Sequence, residues 1–272
     1  MAKRGGRGDR PHHRRLRTSR RTRHTPPCPH DDPRRGLHQR ELVHGADDEH
    51  GHVLRLPGWV AFSINYRLAG DHGTLPSFFP EIDDPDPRRV EQIHAIYTAC
   101  RDAKAAIRWI RANAGTYGID TERITASGGS AGSITAVGLG VVNESDCNDE
   151  LTVDDDPTLA TTNPGESSEI HTIIDHWGSA AMVLVVEALN GGDSRFDATD
   201  APISIVHGTA DPTVAFDKAE QLEAAYAETG VPYAYHPLPG AGHGAWQHAP
   251  DGKSLFELAF DFIVEQQELP VR

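Results

Sequence analysis

Three residues are of types that together perform acyl-transfer chemistry. They are a serine in Ser127-Gly128-Gly129-Ser130-Ala131-Gly132, an aspartate in His207-Gly208-Thr209-Ala210-Asp211-Pro212, and a histidine in Gly240-Ala241-Gly242-His243-Gly244. A serine hydroxyl is a weak nucleophile until an imidazole takes its proton, and that imidazole needs a carboxylate to fix its tautomer and stabilise the imidazolium. Gly128-x-Ser130-x-Gly132 follows the apolar run Arg123-Ile124-Thr125-Ala126 and precedes a small-residue helical segment, residues 133–139. It therefore falls where a strand turns sharply into a helix, the setting of a nucleophile elbow. Such a turn lifts Oγ above the sheet edge and aims the next N–H groups, Ala131 first, at an oxyanion. Each residue alone has a plainer reading: a solvent serine in a glycine-rich turn, an Asx turn before Pro212, and one of 16 histidines. The order Ser130, Asp211, His243, each following a strand-like segment, favours the catalytic one.

The elements that must position these residues can be read from periodicity. Trp59-Val60-Ala61-Phe62-Ser63-Ile64-Asn65-Tyr66 is nearly continuous in apolar and aromatic residues, as expected of a strand covered on both faces in a parallel sheet. Residues 67–90 are rich in Pro, Gly and Asp, a long loop with Pro80, Pro85 and Pro87 as breakers. Ile93, Ile96, Tyr97, Cys100, Ile107 and Ile110 recur at helical spacing and predict a helix over 90–113. Residues 143–169 are polar and acidic and read as a surface excursion. Strands at 171–175, 202–207 and 233–236 alternate with helices at 180–189, 215–229 and 254–266, the last opened by a Ser254/Glu257 capping box. This alternation predicts an α/β fold, a mostly parallel sheet with helices on both faces. Ser130, Asp211 and His243 then lie at strand carboxyl ends, where functional groups gather. Gly129, Trp177 and Trp246 are candidates for the pocket beside them.

Composition divides the chain in two. Residues 1–45 carry 13 Lys and Arg against 4 Asp and Glu, whereas residues 46–272 carry 13 against 36. The first segment is dense in Arg, His, Pro and Gly, and cannot bury enough surface to offset its ordering entropy. It is expected to be a disordered basic domain, with three readings open: a nucleic-acid-binding tail, a solvated extension, or text from another reading frame of GC-rich DNA. Residues 46–272 form the α/β domain. Their acidity argues against binding to nucleic acid or anionic membrane, and fits either adaptation to high salt or ordinary solubility. Cys28, Cys100 and Cys147 have neither disulfide-framework nor zinc spacing, and neither a metal nor another cofactor is expected. No run of about 18 apolar residues is present. Ser19-Arg20-Arg21 resembles a twin-arginine signal but is followed by His24, Pro26, Pro27 and Pro29, so a cytoplasmic protein is expected.

Several spaced motifs agree with a known family. Ala61-Phe62-Ser63-Ile64-Asn65-Tyr66-Arg67-Leu68, the helix over 102–113, Tyr117-Gly118-Ile119-Asp120, the serine elbow and the Asp211 and His243 loops resemble α/β-hydrolase carboxylesterases of the esterase/lipase type, over roughly residues 58–266. The resemblance implies hydrolysis of small carboxylic esters through an acyl-enzyme on Ser130. His243 would act as base and then acid, Asp211 would orient it, and the Ala131 N–H would be one oxyanion donor. Such esterases also carry an HGGG-type oxyanion loop and about three strands upstream. Here the Arg/His/Pro text stands in that place, so these strands are expected to be truncated or garbled, leaving an unpaired sheet edge. Val43-His44-Gly45-Ala46 is the nearest counterpart of the loop, which makes Gly45 the second oxyanion candidate. No long apolar lid is visible, which favours short acyl groups. Two alternatives remain open: a serine peptidase of the prolyl-oligopeptidase type, and a hydrolase-like protein without activity.

Overall fold

The computed structural model describes residues 52–270, apart from Pro57, His72, Pro80 and Asp149. The basic segment 1–45, the candidate Gly45 and the proposed breaker Pro80 lie outside the described residues. The described chain starts with an antiparallel pair, β1 (His52–Leu56) and β2 (Trp59–Ser63), in register from Leu56↔Trp59 to His52↔Ser63. Gly58, at φ 79°, supplies the left-handed backbone of the tight reversal between them. The expectation of a doubly covered strand over 59–66 is thus corrected. β2 is five residues long, half-buried, and paired with β1 in a sheet of its own. Its half-buried Phe62 packs against the core, its ring meeting Tyr117 edge-on at 5.3 Å and Trp109 at 6.1 Å.

The helix after the Pro-rich loop, α1 (Pro87–Ala112), begins earlier than the apolar spacing predicts. Pro87 is not a breaker but the first helical residue, where its missing N–H costs nothing. Asp86 caps the turn by accepting from the Arg88 N–H at 3.0 Å. A short helix, α2 (Ala114–Tyr117), ends at Gly118 with φ 72° and leads to the main sheet. That sheet comprises β3 (Thr125–Gly129), β4 (Thr172–His176), β5 (Ile203–Gly208) and β6 (Tyr233–Leu238), all parallel and in sequential order. Every residue of β4 and β5 is buried, whereas β3 is only partly covered and Ser127 is exposed. Among the described residues β3 pairs with β4 alone, so the strand that delivers Ser130 lies at the sheet's edge.

The connecting helices are α3 (Ala131–Val141), α4 (Ala181–Leu189), α5 (Asp217–Thr229) and α6 (Leu255–Gln266). Ile173, Ile203 and Ile205 project to one face and form the larger core with residues of α1, α3, α4 and α5. Val206, Leu238, Trp177 and Leu255 of α6 form a smaller cluster on the other. The Ser254/Glu257 capping box is present at α6 with both of its hydrogen bonds. Beyond α6, Gln267 donates to the hydroxyls of Thr125 and Thr172 at 2.8 and 3.0 Å, joining the starts of β3 and β4.

The segment 143–169 is more than a surface excursion. Lys104 of α1, 1% exposed, reaches into it and donates to the carbonyls of Asn143, Glu144 and Asp146. Cys147 is buried there beside Cys100, both as free thiols. Burial, with a hydrogen bond to Cys100, pushes the Cys147 thiol up. An ammonium satisfying three inward carbonyls explains how a polar loop packs against a helix. Lys104→Ala leaves those acceptors unpaired and is expected to cost about 3 kcal/mol or more, read as a lower urea midpoint.

Candidate active site

Ser130 follows the last residue of β3 and caps α3 with φ 56° and ψ −122°. That conformation costs a residue with a side chain on the order of 1–3 kcal/mol. Its surroundings hold it there. The Ser130 N–H donates to His176 O at 3.0 Å, and Ser130 O accepts from the N–H groups of Ser133 and Ile134 at 2.9 and 3.0 Å. A Cβ on Gly128 would overlap the Gly132 carbonyl and lie 2.6 Å from Ser133 N, so this glycine lets the helix start directly against the strand. A Cβ on Gly132 would meet nothing within 4 Å. Of the two glycines flanking Ser130, packing requires only the first. Ala131, exposed, opens α3, and its N–H has no intrahelical acceptor.

The loop after β5 brings Asp211 to the loop after β6. Asp211 Oδ1 accepts from the N–H groups of Thr213 and Val214 at 2.8 and 3.1 Å, while His243 Nδ1 donates to Oδ2 at 2.8 Å. The Asx turn and the orienting carboxylate, alternatives in the sequence, coexist on separate oxygens. Because a carboxylate only accepts, Nδ1 carries the proton and Nε2 keeps its lone pair. Desolvation raises the Asp211 carboxyl, but hydrogen bonds from His243, Thr213 and Val214 outweigh it and hold the group below the usual carboxylate range. His207, completely buried, donates from Nε2 to Val214 O at 2.9 Å and lies 3.4 Å from the same Oδ2. A second imidazole, at the residue that starts this loop in the sequence, thus shapes and closes it. A Cβ on Gly208 would overlap the Ala241 carbonyl and sit 2.7 Å from Gly242 O, so the two loops meet because residue 208 has no side chain.

The indoles stand beside the elbow. A Cβ on Gly129 would be 3.3 Å from Trp177 Nε1 and 3.5 Å from the Trp246 ring. Trp177 is 2% exposed and its ring lies 6.2 Å from that of His243, so one indole touches both the serine side and the histidine side. Trp246 is edge-on to Trp177 at 4.6 Å, stacks on Phe256 at 5.6 Å and is 42% exposed. Among the described residues no hydrogen bond joins the Ser130 hydroxyl to the His243 ring, whereas Asp211 and His243 are directly paired.

A further carboxylate, just before the Trp177 wall in the sequence, lies beneath this arrangement. Asp175 of β4 is completely buried and accepts from the Ser133 hydroxyl and, at 2.9 Å, from the Gly178 N–H. Burial pushes its carboxyl up to about 6, opposed by those two hydrogen bonds and the field of His207. The folded protein therefore holds this proton more tightly than the unfolded chain does. The stability this confers is complete below about pH 4 and is lost as pH rises through 6. Asp175→Asn removes that loss, so its melting temperature should exceed the wild type's by more at pH 8 than at pH 5. Between pH 5 and pH 8 the difference corresponds to about 1.4 kcal/mol. Gly208→Ala should separate the Asp211 and His243 loops, lowering stability by about 2 kcal/mol by calorimetry.

Known proteins share parts of this chain and its fold. The family described as BD-FAE matches residues 88–196, and the prolyl oligopeptidase family matches residues 180–269. Esterase LipC of Mycobacterium tuberculosis is 25% identical, over 74% of this chain and 50% of its own. The chain thus spans half the length of this curated relative. A structure of Thermogutta terrifontis esterase 2 phosphorylated by paraoxon superimposes with a TM-score of 0.54, at 26% identity, covering 78% of this chain and 73% of that one. The thermophilic Est2 esterase of the same organism, butyrate bound, gives a TM-score of 0.50 at 26% identity, covering 65% and 68%. With its parallel sheet and its serine at the strand-to-helix elbow, the chain has the α/β-hydrolase fold and is similar to esterases of that fold.

Proposed function

We propose that the chain hydrolyses short-chain carboxylic esters through an acyl-enzyme on Ser130. The observation that carries this reading is the 2.8 Å bond from His243 Nδ1 to Asp211 Oδ2, which leaves the Nε2 lone pair for a serine proton, beside a serine held at φ 56°. In the reacting complex Nε2 takes the proton of Ser130 as Oγ attacks the ester carbonyl carbon. The Ala131 N–H and the positive end of α3 stabilise the oxyanion, with Gly45 the sequence's candidate for a second donor. Collapse expels the alkoxide, which takes its proton from the imidazolium, and water attacking the acyl carbon repeats the steps in reverse order. The contact between Ser130 and His243 forms on substrate binding by rotation of the serine and adjustment of the His243 loop. Gly240 at φ 72° and Gly244 at φ 76° flank that loop, and such contacts are often long in unliganded enzymes.

Trp177 and Trp246 pack against Gly129, the residue before the serine, and bulky indoles there support small acyl groups. The butyrate-bound relative supports the same choice. A second reading, a peptidase, is favoured by the prolyl oligopeptidase match, whose span includes both Asp211 and His243. The test is turnover of p-nitrophenyl acetate and butyrate against a peptide p-nitroanilide, with Ser130→Ala and His243→Ala beside the wild type. Ester turnover is expected, falling by about 10³-fold or more in either variant, with a fluorophosphonate adduct on Ser130. Amide turnover exceeding ester turnover would establish the peptidase instead. Folded protein without turnover or adduct would show an inactive hydrolase-like chain.

A further inference from the structure

The esterase reading uses Ser130, Asp211 and His243 but leaves a fully buried acid unexplained. Asp175 shares a sheet face with its register partner Ile205, and His207 is the next residue of β5 on that face. Asp175 therefore lies between the start of α3 and the origin of the Asp211 loop. Its Oδ1 receives the Ser133 hydroxyl and the Gly178 N–H, and the Ser133 oxygen in turn receives the His176 N–H at 3.0 Å. Ser133 also donates its backbone N–H to Ser130 O at 2.9 Å, and His176 O holds the Ser130 N–H. Between His176 and Gly178 stands Trp177, at φ 46°, a left-handed conformation unfavourable to a bulky residue. A Cβ at Gly178 would lie 2.6 Å from Ser133 Cβ, so the turn is pressed against the helix. Two strained residues, Ser130 and Trp177, are thus tied to one carboxylate.

We propose that Asp175 is a positioning residue: through the Ser133 hydroxyl and the Gly178 N–H it locks the nucleophile elbow and the Trp177 turn into one unit, fixing Ser130 relative to its indole wall. A core acid serving stability alone would not link these particular strained residues. Asp175 Oδ2 and His207 Nδ1 are both buried without a hydrogen-bond partner among the described residues. An amide at 175 keeps the acceptor that Ser133 and Gly178 use, while removing the buried charge.

The inference rests on the esterase reading for its kinetic arm, and a spectroscopic arm stands apart from it. Asp175→Ala, Asp175→Asn and Ser133→Ala of the full chain are assayed with p-nitrophenyl butyrate well below their melting temperatures. Their near-ultraviolet circular dichroism is recorded in parallel, with the Trp177–Trp246 signal assigned through Trp246→Phe. Asp175→Ala is expected to lose about 10- to 100-fold in kcat with KM changed less than about threefold. It should also lose the indole-pair signal, Ser133→Ala should lose kcat by about tenfold, and Asp175→Asn should restore both readouts. Folded Asp175→Ala with wild-type kcat and an intact signal would overturn the proposal. If Asp175→Ala does not fold, Ser133→Ala decides in the same way. If wild type cleaves no ester, the esterase reading fails, and the dichroism of the same variants still decides whether Asp175 holds the turn.

Discussion

A serine with a left-handed backbone between a strand and a helix is the constraint on which this structure depends. At φ 56° Ser130 spends free energy that its neighbours must recover. They do so by close contact: Gly128 against Gly132 and Ser133, and the Ser130 N–H on His176 O. In return the hydroxyl is raised at the carboxyl end of the sheet and the first N–H groups of α3 face the same space. The helix terminus, whose first donors lack intrahelical partners, is where the proposed reaction would place its negative charge.

The sheet gives the site its rigidity unevenly. β4 and β5 are buried along their whole length and carry the turns from which Trp177 and Asp211 depart. β3 carries Ser130 but is covered less, with a hydrogen-bonded neighbour on one side among the described residues. The elbow's support therefore comes mainly from β4, through backbone bonds and through Asp175. The histidine arrives differently, on a glycine-flanked loop held to the Asp211 loop where Gly208 permits contact. In the proposed reaction the imidazole on that loop handles first the serine proton and then that of the leaving group.

The aromatic group makes a second link between these parts. Trp177 packs beside Gly129 and near His243, and Trp246 and Phe256 extend the wall to the surface. In the proposed reaction this wall would bound the acyl group, so that the same residues would set substrate width and hold the site's geometry. Its anchor is a turn at a positive φ, which ties pocket shape to the buried polar contacts beneath it.

The amino-acid sequence by itself determined the alternation of strand and helix, the elbow, and the order of Ser130, Asp211 and His243, because periodicity and glycine placement are local signals. It also determined the Ser254 cap of α6, where both partners lie within one turn. Other features were decided only by the tertiary structure. The run from Trp59 looked like an interior strand, yet it pairs antiparallel with β1, since an apolar run does not specify its neighbour. Pro87 looked like a breaker and begins a helix, because the meaning of a proline depends on the turn that follows it. Lys104 gave no sign that it caps three carbonyls about 40 residues away, nor Asp175 that it joins two strained turns. Buried polar groups take their partners from wherever packing places them, and that placement is a property of the assembled sheet rather than of any short stretch of chain.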